Sequence, residues 1–326
     1  MKQAYNVAIV GATGLIGNKF IQVLEKERFP IGRLKLFASH KSVGKTLHAF
    51  GKNYSVEPLS DGSFLGIDLA FFCAGKDISL KYAPIAINDG AFVIDNSSAF
   101  RKNPKIPLII PEINGEILKT TTSRLISNPN CSTAIAILPL KALDNLFSIK
   151  RIIYTTYQAV SGSGQKGIDD LIACRHGFTP NVYKADISKS FIPQIGLCSI
   201  YGYTDEELKM IDETKKILNK HIEISATCVR VPIENCHGVS VEVEFEKDFF
   251  DEDIKTVFRQ IDGISLCDLP LPQNANGKNE VLIGRIKRSL AFKSGLSYFC
   301  VGDNTLKGAS LNAVQIAKKA IEYGKI

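Results

Sequence analysis

Short apolar runs alternate with amphipathic stretches through the first 130 residues. Residues 6–10 form a β-branched apolar run, and the following residues 19–27 place apolar side chains at helical spacing. Similar apolar runs recur between helical stretches, at residues 34–38, 69–73, 92–95 and 125–127. Strands that alternate with helices indicate βαβ units, so this part of the chain is predicted to form a doubly wound parallel sheet.

After Cys131 the pattern changes to long strands with one-sided alternation. Strands are predicted at residues 151–159 and 239–245. In the second of these, one face carries Val239, Val241, Val243 and Phe245, and the other carries Ser240, Glu242, Glu244 and Glu246. This alternation is typical of a sheet with one buried face, so we predict an α+β second domain with a mixed sheet.

The last predicted element is a helix at residues 306–321, where apolar side chains recur at helical spacing. We expect this helix to pack on the first domain. The predicted domains are therefore residues 1–130 with 306–326, and residues 131–305. No low-complexity linker separates them, so we expect a hinge near residue 130.

Composition and charge narrow the class of protein. With 326 residues and 45% hydrophobic side chains, the chain can bury a sizeable core. The net charge of +7 comes from dispersed basic residues, which favours anionic small molecules over nucleic acid. No apolar run approaches the roughly 20 residues of a membrane span, and the N-terminus lacks a signal-peptide pattern, so we expect a cytoplasmic protein without membrane contact. The eight cysteines form no Cys-x-x-Cys pair, so we expect free thiols and no metal.

Three glycines, Gly11, Gly14 and Gly17, follow the first strand and open the first helix. Glycine lets the backbone turn sharply and approach a pyrophosphate, whose charge is held by free amides at the helix N-terminus. The pattern therefore predicts a dinucleotide site, although a purely structural turn would use the same residues.

The second strand ends at residues 38–42, where an NAD site usually places a carboxylate for the ribose 2′-hydroxyl. No acidic residue is present there. Ser39, Lys41 and Ser42 instead suit a 2′-phosphate, which favours NADP. The alternative interpretation is an ordinary polar loop.

Cys131 lies in the stretch 128–133, directly before an apolar helical stretch at 134–146 that Pro139 interrupts. A helix N-terminus stabilises a thiolate and can hold an oxyanion, so this position suits a nucleophile and its tetrahedral intermediate. Taken alone, a cysteine is more often a core residue.

The Asn130-Cys131-Ser132-Thr133 sequence resembles the nucleophile motif of the aspartate-β-semialdehyde dehydrogenase family. Further matching motifs lie along nearly the whole chain, at residues 11–14, 96–98, 111–114, 161–164, 230–232 and 307–309. The resemblance implies a Rossmann-type NADP-binding domain followed by a catalytic and dimerisation domain. It also implies a homodimer or tetramer.

The reaction implied by this resemblance is the NADPH-dependent reductive dephosphorylation of β-aspartyl phosphate to aspartate β-semialdehyde and phosphate, through a thioester on the cysteine. Such an enzyme is an oxidoreductase of amino-acid biosynthesis. It would serve lysine, threonine, methionine and diaminopimelate biosynthesis.

Roles in catalysis and substrate binding carry over by matching position. Cys131 corresponds to the acyl-accepting thiol, His237 to the general acid/base, and Gln158 to the glutamine that orients the substrate. The implied substrate-binding residues are Arg230 for the α-carboxylate, Glu213 for the amine, and Lys216, Arg101 and Asn130 for the phosphate. Without the resemblance, Arg230 would be interpreted as a residue that forms a salt bridge at the end of a strand. Glu213 and Lys216 would be a solvated ion pair on a helix at 205–219 that opens with a capping box.

Cofactor contacts are the last set that the resemblance implies. They are Gly11, Thr13, Gly14, Leu15, Ile16, Ser39, Lys41, Ser42, Ser161, Gly162 and Gln315.

Three alternative functions have different signatures. N-acetyl-γ-glutamyl-phosphate reductases run the same chemistry but carry a glycine where this chain has Asn130, and an acetylated amine would give Glu213 no charge partner. A catalytically silent NADP-binding regulator would have no need for the set Cys131, Gln158, Arg230 and His237. A thiol hydrolase would leave the glycine turn unexplained.

Overall fold

The structure is a computed structural model that describes residues 3–326, so residues 1 and 2 of the predicted first domain lie outside the described range. The described chain divides into two compact units. The first contains the chain up to Pro129 together with Ala309–Ile326, and the second contains Asn130–Gly308.

A seven-stranded sheet forms the centre of the first unit. Its strands are β1 Tyr5–Val10, β2 Ile31–Ala38, β3 Thr46–Ala49, β4 Lys52–Pro58, β5 Leu69–Phe72, β6 Phe92–Asp95 and β7 Leu125–Ser127. Their order is β3-β4-β2-β1-β5-β6-β7, and every neighbouring pair except β3–β4 is parallel. The strand order reverses direction at β1, which confirms the predicted doubly wound sheet.

Buried apolar side chains explain why these strands could be predicted. All four residues of β5 and of β6 are buried, because a parallel sheet that is covered on both faces needs continuous apolar strands. The hairpin of β3 and β4 was not predicted, since its strands are largely exposed and carry no apolar run.

Five helices belong to the first unit: α1 Leu15–Lys26, α2 Lys76–Asn88, α3 Pro111–Asn114, α4 Ile117–Thr120 and α11 Leu311–Glu322. The C-terminal α-helix begins at Leu311 and not at residue 306 as predicted, because residues 306–310 form a π-helical turn. α11 packs against α1, α3 and α4, and residues 309–326 belong to the first unit.

A six-stranded sheet forms the second unit, with the order β11-β12-β13-β10-β8-β9. Its strands are β8 Ile149–Gln158, β9 Glu223–Arg230, β10 His237–Phe245, β11 Ile264–Leu266, β12 Val281–Arg288 and β13 Gly295–Gly302. β8 and β9 are parallel, whereas β10 is antiparallel to β8 and β13, so the predicted mixed sheet is confirmed. The predicted alternation along β10 is also confirmed, since its odd-numbered residues are buried.

The helices of the second unit are α5 Cys131–Ala136, α6 Leu140–Phe147, α7 Gln165–Arg175, α8 Asp205–Leu218, α9 Asp251–Arg259 and α10 Pro272–Ala275. The predicted interruption at Pro139 separates α5 from α6, because proline lacks the N–H that would continue a helix. The predicted capping box is present at Thr204, which accepts the Glu207 N–H while the Glu207 carboxylate accepts the Thr204 N–H.

Across residues 3–326, no helix is long and apolar enough to cross a membrane. Within the same range, no cluster of histidine, cysteine and acidic side chains could hold a metal ion. None of the eight cysteines, all of which lie in the described range, takes part in a disulfide.

Candidate active site

The glycine turn of the first unit is shaped for close backbone approach. Gly11 has a φ of +89°, and a Cβ on it would lie 2.9 Å from the carbonyl oxygen of Cys73. A Cβ on Gly17 would lie 2.2 Å from the carbonyl oxygen of Gly11, so α1 can pack on the turn only with glycine there. Gly14 is the exposed N-cap of α1 and makes no side-chain cap.

The end of β2 lies beside this turn. Ser39 precedes a short 3₁₀ turn at His40–Ser42, and Oγ1 of Thr13 lies 3.3 Å from Oγ of Ser42. Ser39 and Lys41 are exposed. The structure thus brings together the hydroxyl and ammonium groups predicted to receive a 2′-phosphate and the glycine turn predicted to receive a pyrophosphate.

Three other predicted cofactor residues are placed on helices of the first unit. Leu15 and Ile16 are the first two residues of α1, directly after the glycine turn, and Gln315 is half-buried on α11. The residues of this unit therefore fit a dinucleotide. Glycine at positions 11 and 17 lets the turn pack closely against the backbone of Cys73 and against α1, and this helix has an N-terminus without a side-chain cap.

Arg101, the predicted phosphate ligand of the first unit, is buried. Its Nη2 donates a hydrogen bond to the carbonyl oxygen of Asn96 at 2.6 Å, within the motif 96–98. This bond fixes one edge of the guanidinium group.

In the second unit, Cys131 lies at a helix N-terminus, as predicted, but α5 already begins at Cys131 and not at residue 134. Asn130 is the N-cap of that helix. The Asn130 side-chain oxygen accepts the N–H groups of Ser132 at 3.0 Å and Thr133 at 3.3 Å. This cap fixes the first turn of α5. A Cβ on Gly308 would lie 2.9 Å from the Cβ of Cys131, so the π-helical turn packs closely against the nucleophile.

The backbone of one residue, Ala159, holds the two principal polar side chains of the site. The backbone N–H of Ala159 donates to Nδ1 of His237 at 3.0 Å, and the carbonyl oxygen of Ala159 accepts Nη1 of Arg230 at 2.5 Å. Both side chains are almost fully buried. Because Ala159 directly follows Gln158 at the end of β8, the C-terminal ends of β8 and β9 and the start of β10 meet here.

The bond from Ala159 fixes the tautomer of His237. A backbone N–H can only donate, so Nδ1 accepts and the proton of the neutral ring lies on Nε2. Burial, with a smaller contribution from the positive charge of Arg230, lowers the pKa of His237 to about 3, so the ring is neutral near pH 7. Among the described residues, Nε2 is buried without a hydrogen-bond partner.

The backbone conformation of Cys236, directly before β10, sets the direction in which the His237 side chain points. This residue has a φ of +74° and is fully buried, and its N–H donates to the side-chain oxygen of Asn304 at 2.9 Å. A non-glycine residue rarely adopts this conformation, so the surrounding bonds must hold it.

Glu213 and Lys216 lie on the same face of α8, but they are not the solvated ion pair of the alternative interpretation. Glu213 is 3% exposed, and its Oε2 accepts the backbone N–H of Asn130 at 2.6 Å. Lys216 is half-buried, and burial lowers its pKa, while the charge of Glu213 acts in the opposite direction.

The alternative interpretation of Arg230 as a strand-end salt bridge is also wrong, since its described bond is to the carbonyl oxygen of Ala159.

Ser161 and Gly162, predicted to contact the cofactor, lie in a short 3₁₀ turn at Val160–Ser163 that follows β8. Ser161 is buried and hydrogen bonded to the side chains of Asn235 and Asn304. Gly162 is exposed, but a Cβ on it would lie 2.7 Å from Nη1 of Arg230 and 3.3 Å from Nε2 of His237. The glycine is therefore needed beside these two side chains.

Glu206 is the residue of this site that the sequence did not reveal. It is 6% exposed, and its Oε1 accepts hydrogen bonds from Nδ2 of Asn130 at 2.8 Å and from Nε2 of Gln158 at 3.2 Å. A continuous chain of bonds therefore runs from the residue before Cys131 to the residue before Ala159. In the sequence, Glu206 is one of three consecutive acidic residues at a helix start, and nothing there distinguishes it from a solvated one.

Comparisons with known proteins identify the family. The family model "Semialdehyde dehydrogenase, NAD binding domain" matches residues 6–121, and "Semialdehyde dehydrogenase, dimerisation domain" matches residues 140–307. An aspartate-semialdehyde dehydrogenase from Aquifex aeolicus is 43% identical, with 99% of each chain covered. A relative of the same name from Bacillus subtilis is 38% identical, with 98% of each chain covered.

Solved structures give the same result. The crystal structure of aspartate semialdehyde dehydrogenase II complexed with ASA, from Vibrio cholerae, is 40% identical, has a TM-score of 0.95 and covers 98% of this chain and 99% of that one. A probable aspartate-semialdehyde dehydrogenase from Pseudomonas aeruginosa is 26% identical, with a TM-score of 0.93 and the same coverage. With both domain models matched and full-length relatives at this identity, the chain belongs to the aspartate-semialdehyde dehydrogenase family.

Proposed function

We propose that this enzyme reduces β-aspartyl phosphate to aspartate β-semialdehyde and phosphate, with NADPH as the reductant and Cys131 as the covalent nucleophile. The observation that carries the proposal is the bond chain in the second unit. Cys131 is the first residue of a capped helix, and the capping residue Asn130 is hydrogen bonded to Glu206. Glu206 in turn is hydrogen bonded to Gln158. The backbone of the next residue, Ala159, is hydrogen bonded to His237 and Arg230.

The first chemical step forms a thioester. The Cys131 thiolate attacks the acyl carbon, the carbon–oxygen bond to phosphate breaks, and phosphate leaves with the electron pair. The positive end of the α5 helix dipole favours negative charge on the sulfur and on the developing oxyanion. Arg230 binds the α-carboxylate through its guanidinium group, and Glu213 binds the ammonium group.

The cofactor, when bound, supplies the hydride that reduces the thioester carbon. Gly11, Thr13 and Gly14 would hold the pyrophosphate, and Ser39, Lys41 and Ser42 would hold the 2′-phosphate of NADP. The Cys131 carbon–sulfur bond then breaks, which releases the aldehyde and restores the thiolate.

His237 acts as a hydrogen-bond donor in this proposal. Its neutral ring carries the proton on Nε2, so it stabilises the oxyanion that forms on the substrate oxygen before the carbon–sulfur bond breaks. This role is narrower than the general acid/base role expected from the sequence. The fully buried ring and its bond to Ala159 support it.

The family's dimerisation domain is present in the chain, and we propose that the homodimer forms through the outer face of the second sheet. On this face Ile153 and Tyr157 of β8 are 39% and 40% exposed, and the ring of Tyr157 lies 5.7 Å from that of Phe299 on β13. Apolar side chains at the centre of a solvent-facing sheet are typical of an interface. We also propose a cytoplasmic location, which eight cysteines outside any disulfide support.

The decisive experiment measures phosphate-dependent reduction of NADP by aspartate β-semialdehyde, with wild-type protein and with Cys131→Ala. We expect turnover with the wild type, a lower rate with NAD, and none with the variant. Mass spectrometry of the protein trapped during turnover should find the added aspartyl group on Cys131. Comparable activity in Cys131→Ala would refute the covalent route, whereas a preference for N-acetylglutamate γ-semialdehyde would refute the substrate.

A further inference from the structure

Glu206 is a buried carboxylate surrounded by donors from three parts of the second unit. Its Oε1 accepts the amides of Asn130 and Gln158, and its Oε2 accepts Nζ of Lys209 at 3.0 Å. An ionised carboxylate can only accept hydrogen bonds, so it must face the nitrogen of each amide and not its oxygen. Glu206 therefore fixes which way both amides point.

Each of these two amides adjoins a reacting group. Asn130 is the N-cap of the helix that begins with Cys131, and its oxygen can cap that helix only while its nitrogen faces Glu206. The nitrogen of Gln158 is held between Glu206 and Oγ1 of Thr156, so its oxygen points the other way and remains available as an acceptor. A flipped amide would reverse donor and acceptor in both places.

The charge of Glu206 is kept despite its burial. Burial alone would raise the pKa of this carboxyl, but the positive charge of Lys209 and the hydrogen bonds from Asn130, Lys209 and Gln158 together hold it below its usual value. Its place in the first turn of α8 also favours negative charge. The group is therefore ionised throughout the neutral range.

We infer that Glu206 is a positioning residue of the active site, which sets the orientation of the Asn130 and Gln158 amides without touching the substrate. The inference rests on the proposed function, because it concerns the geometry in which Cys131 reacts. Glutamine at this position would face one of two conflicts. Either its own N–H₂ meets the ammonium of Lys209, or it meets the two amide nitrogens.

Glu207 provides a matched control in the same helical turn. It is 7% exposed and also accepts two hydrogen bonds, but both come from backbone N–H groups, those of Thr204 and Cys228. Its bonds cap α8 and fasten it to β9, and they reach no side chain of the active site. A loss of charge at Glu207 therefore tests the structural effect alone.

The experiment compares Glu206→Gln with Glu207→Gln in the phosphate-dependent assay and in thermal unfolding. For Glu206→Gln we expect kcat to fall by about 10- to 100-fold, as for a misaligned catalytic group, with the KM for NADP unchanged. For Glu207→Gln we expect a lower Tm and a wild-type kcat. Equal kcat values for the two variants would overturn the inference.

A double-mutant cycle tests whether Glu206 acts through Gln158. If it does, the double variant Glu206→Gln, Gln158→Leu should show a smaller fold-loss of kcat than the product of the fold-losses of the two single variants. A fold-loss equal to that product would contradict the inference. If Glu206→Gln does not fold, Glu206→Asp keeps the charge but cannot reach both amides. A wild-type kcat in that variant would overturn the inference. An inactive wild type would instead overturn the proposed function itself.

Discussion

Replacement of Gly162 by alanine should displace the guanidinium group of Arg230. The new Cβ would lie 2.7 Å from Nη1, so this nitrogen must retreat by about 0.7 Å before the 3.4 Å of ordinary contact is reached. Arg230 is 5% exposed, and the same nitrogen is bonded to the carbonyl oxygen of Ala159, so the group cannot retreat without losing that bond.

The size of the effect follows from the bond that Arg230 is proposed to make with the substrate carboxylate. A charge-assisted hydrogen bond contributes about 1.5–3 kcal/mol, which corresponds to a loss of about 10- to 150-fold in kcat/KM for aspartate β-semialdehyde. The backbone of Gly162 has no positive φ, so we expect the variant to fold normally.

The assay is phosphate-dependent NADP reduction at saturating cofactor, so that cofactor affinity does not enter. The control is Gly164→Ala, where φ is +77° but no atom lies within 4 Å of the added Cβ. We expect this control to lose about 1 kcal/mol of stability through backbone strain and to keep kcat/KM. Wild-type kcat/KM in Gly162→Ala would refute the claim that Arg230 is sterically fixed.

Two further predictions concern His237 and the dimer. The folded pKa of His237, about 3, lies below its ordinary value of 6.5, so the unfolded chain binds more protons between these values and stability falls as the pH falls. From pH 6.5 to 4.5 this costs roughly 2–3 kcal/mol, which urea unfolding should show in the wild type and not in His237→Gln. Tyr157→Glu places a charge on the proposed dimer face, so sedimentation should give a mass near the 35.7 kDa monomer, whereas Glu57→Gln on the first unit should leave the dimer intact.

The strands of the first sheet could be predicted because burial on both faces requires apolar residues along the strand. The run Leu69–Phe72, for example, is apolar at every position because all four residues are buried. The strands of the β3–β4 hairpin contain no such apolar run. Its strands are held mainly by backbone hydrogen bonds at a solvated edge, and every residue type except proline can make those bonds.

The position of Cys131 could be predicted because a local rule governs it. An asparagine before an apolar helical stretch is an N-cap signal, and the following residue then stands in the first turn. The burial of Glu213 could not be predicted in this way. Spacing on a helix tells which side chains share a face, but only the tertiary structure shows that the face of α8 packs against Asn130.

Ala159 shows most clearly where sequence reasoning ends. Its contribution to the site is a backbone N–H and a backbone carbonyl, which orient His237 and Arg230, and every residue except proline would offer the same two groups. Residue type therefore carries no information about this role. The role depends on the turn after β8 and on the backbone of residues 233 and 234, whose carbonyl oxygens accept the N–H groups of Val160 and Ser161. Side-chain chemistry identifies the reacting groups, whereas their alignment depends on backbone geometry and on Glu206.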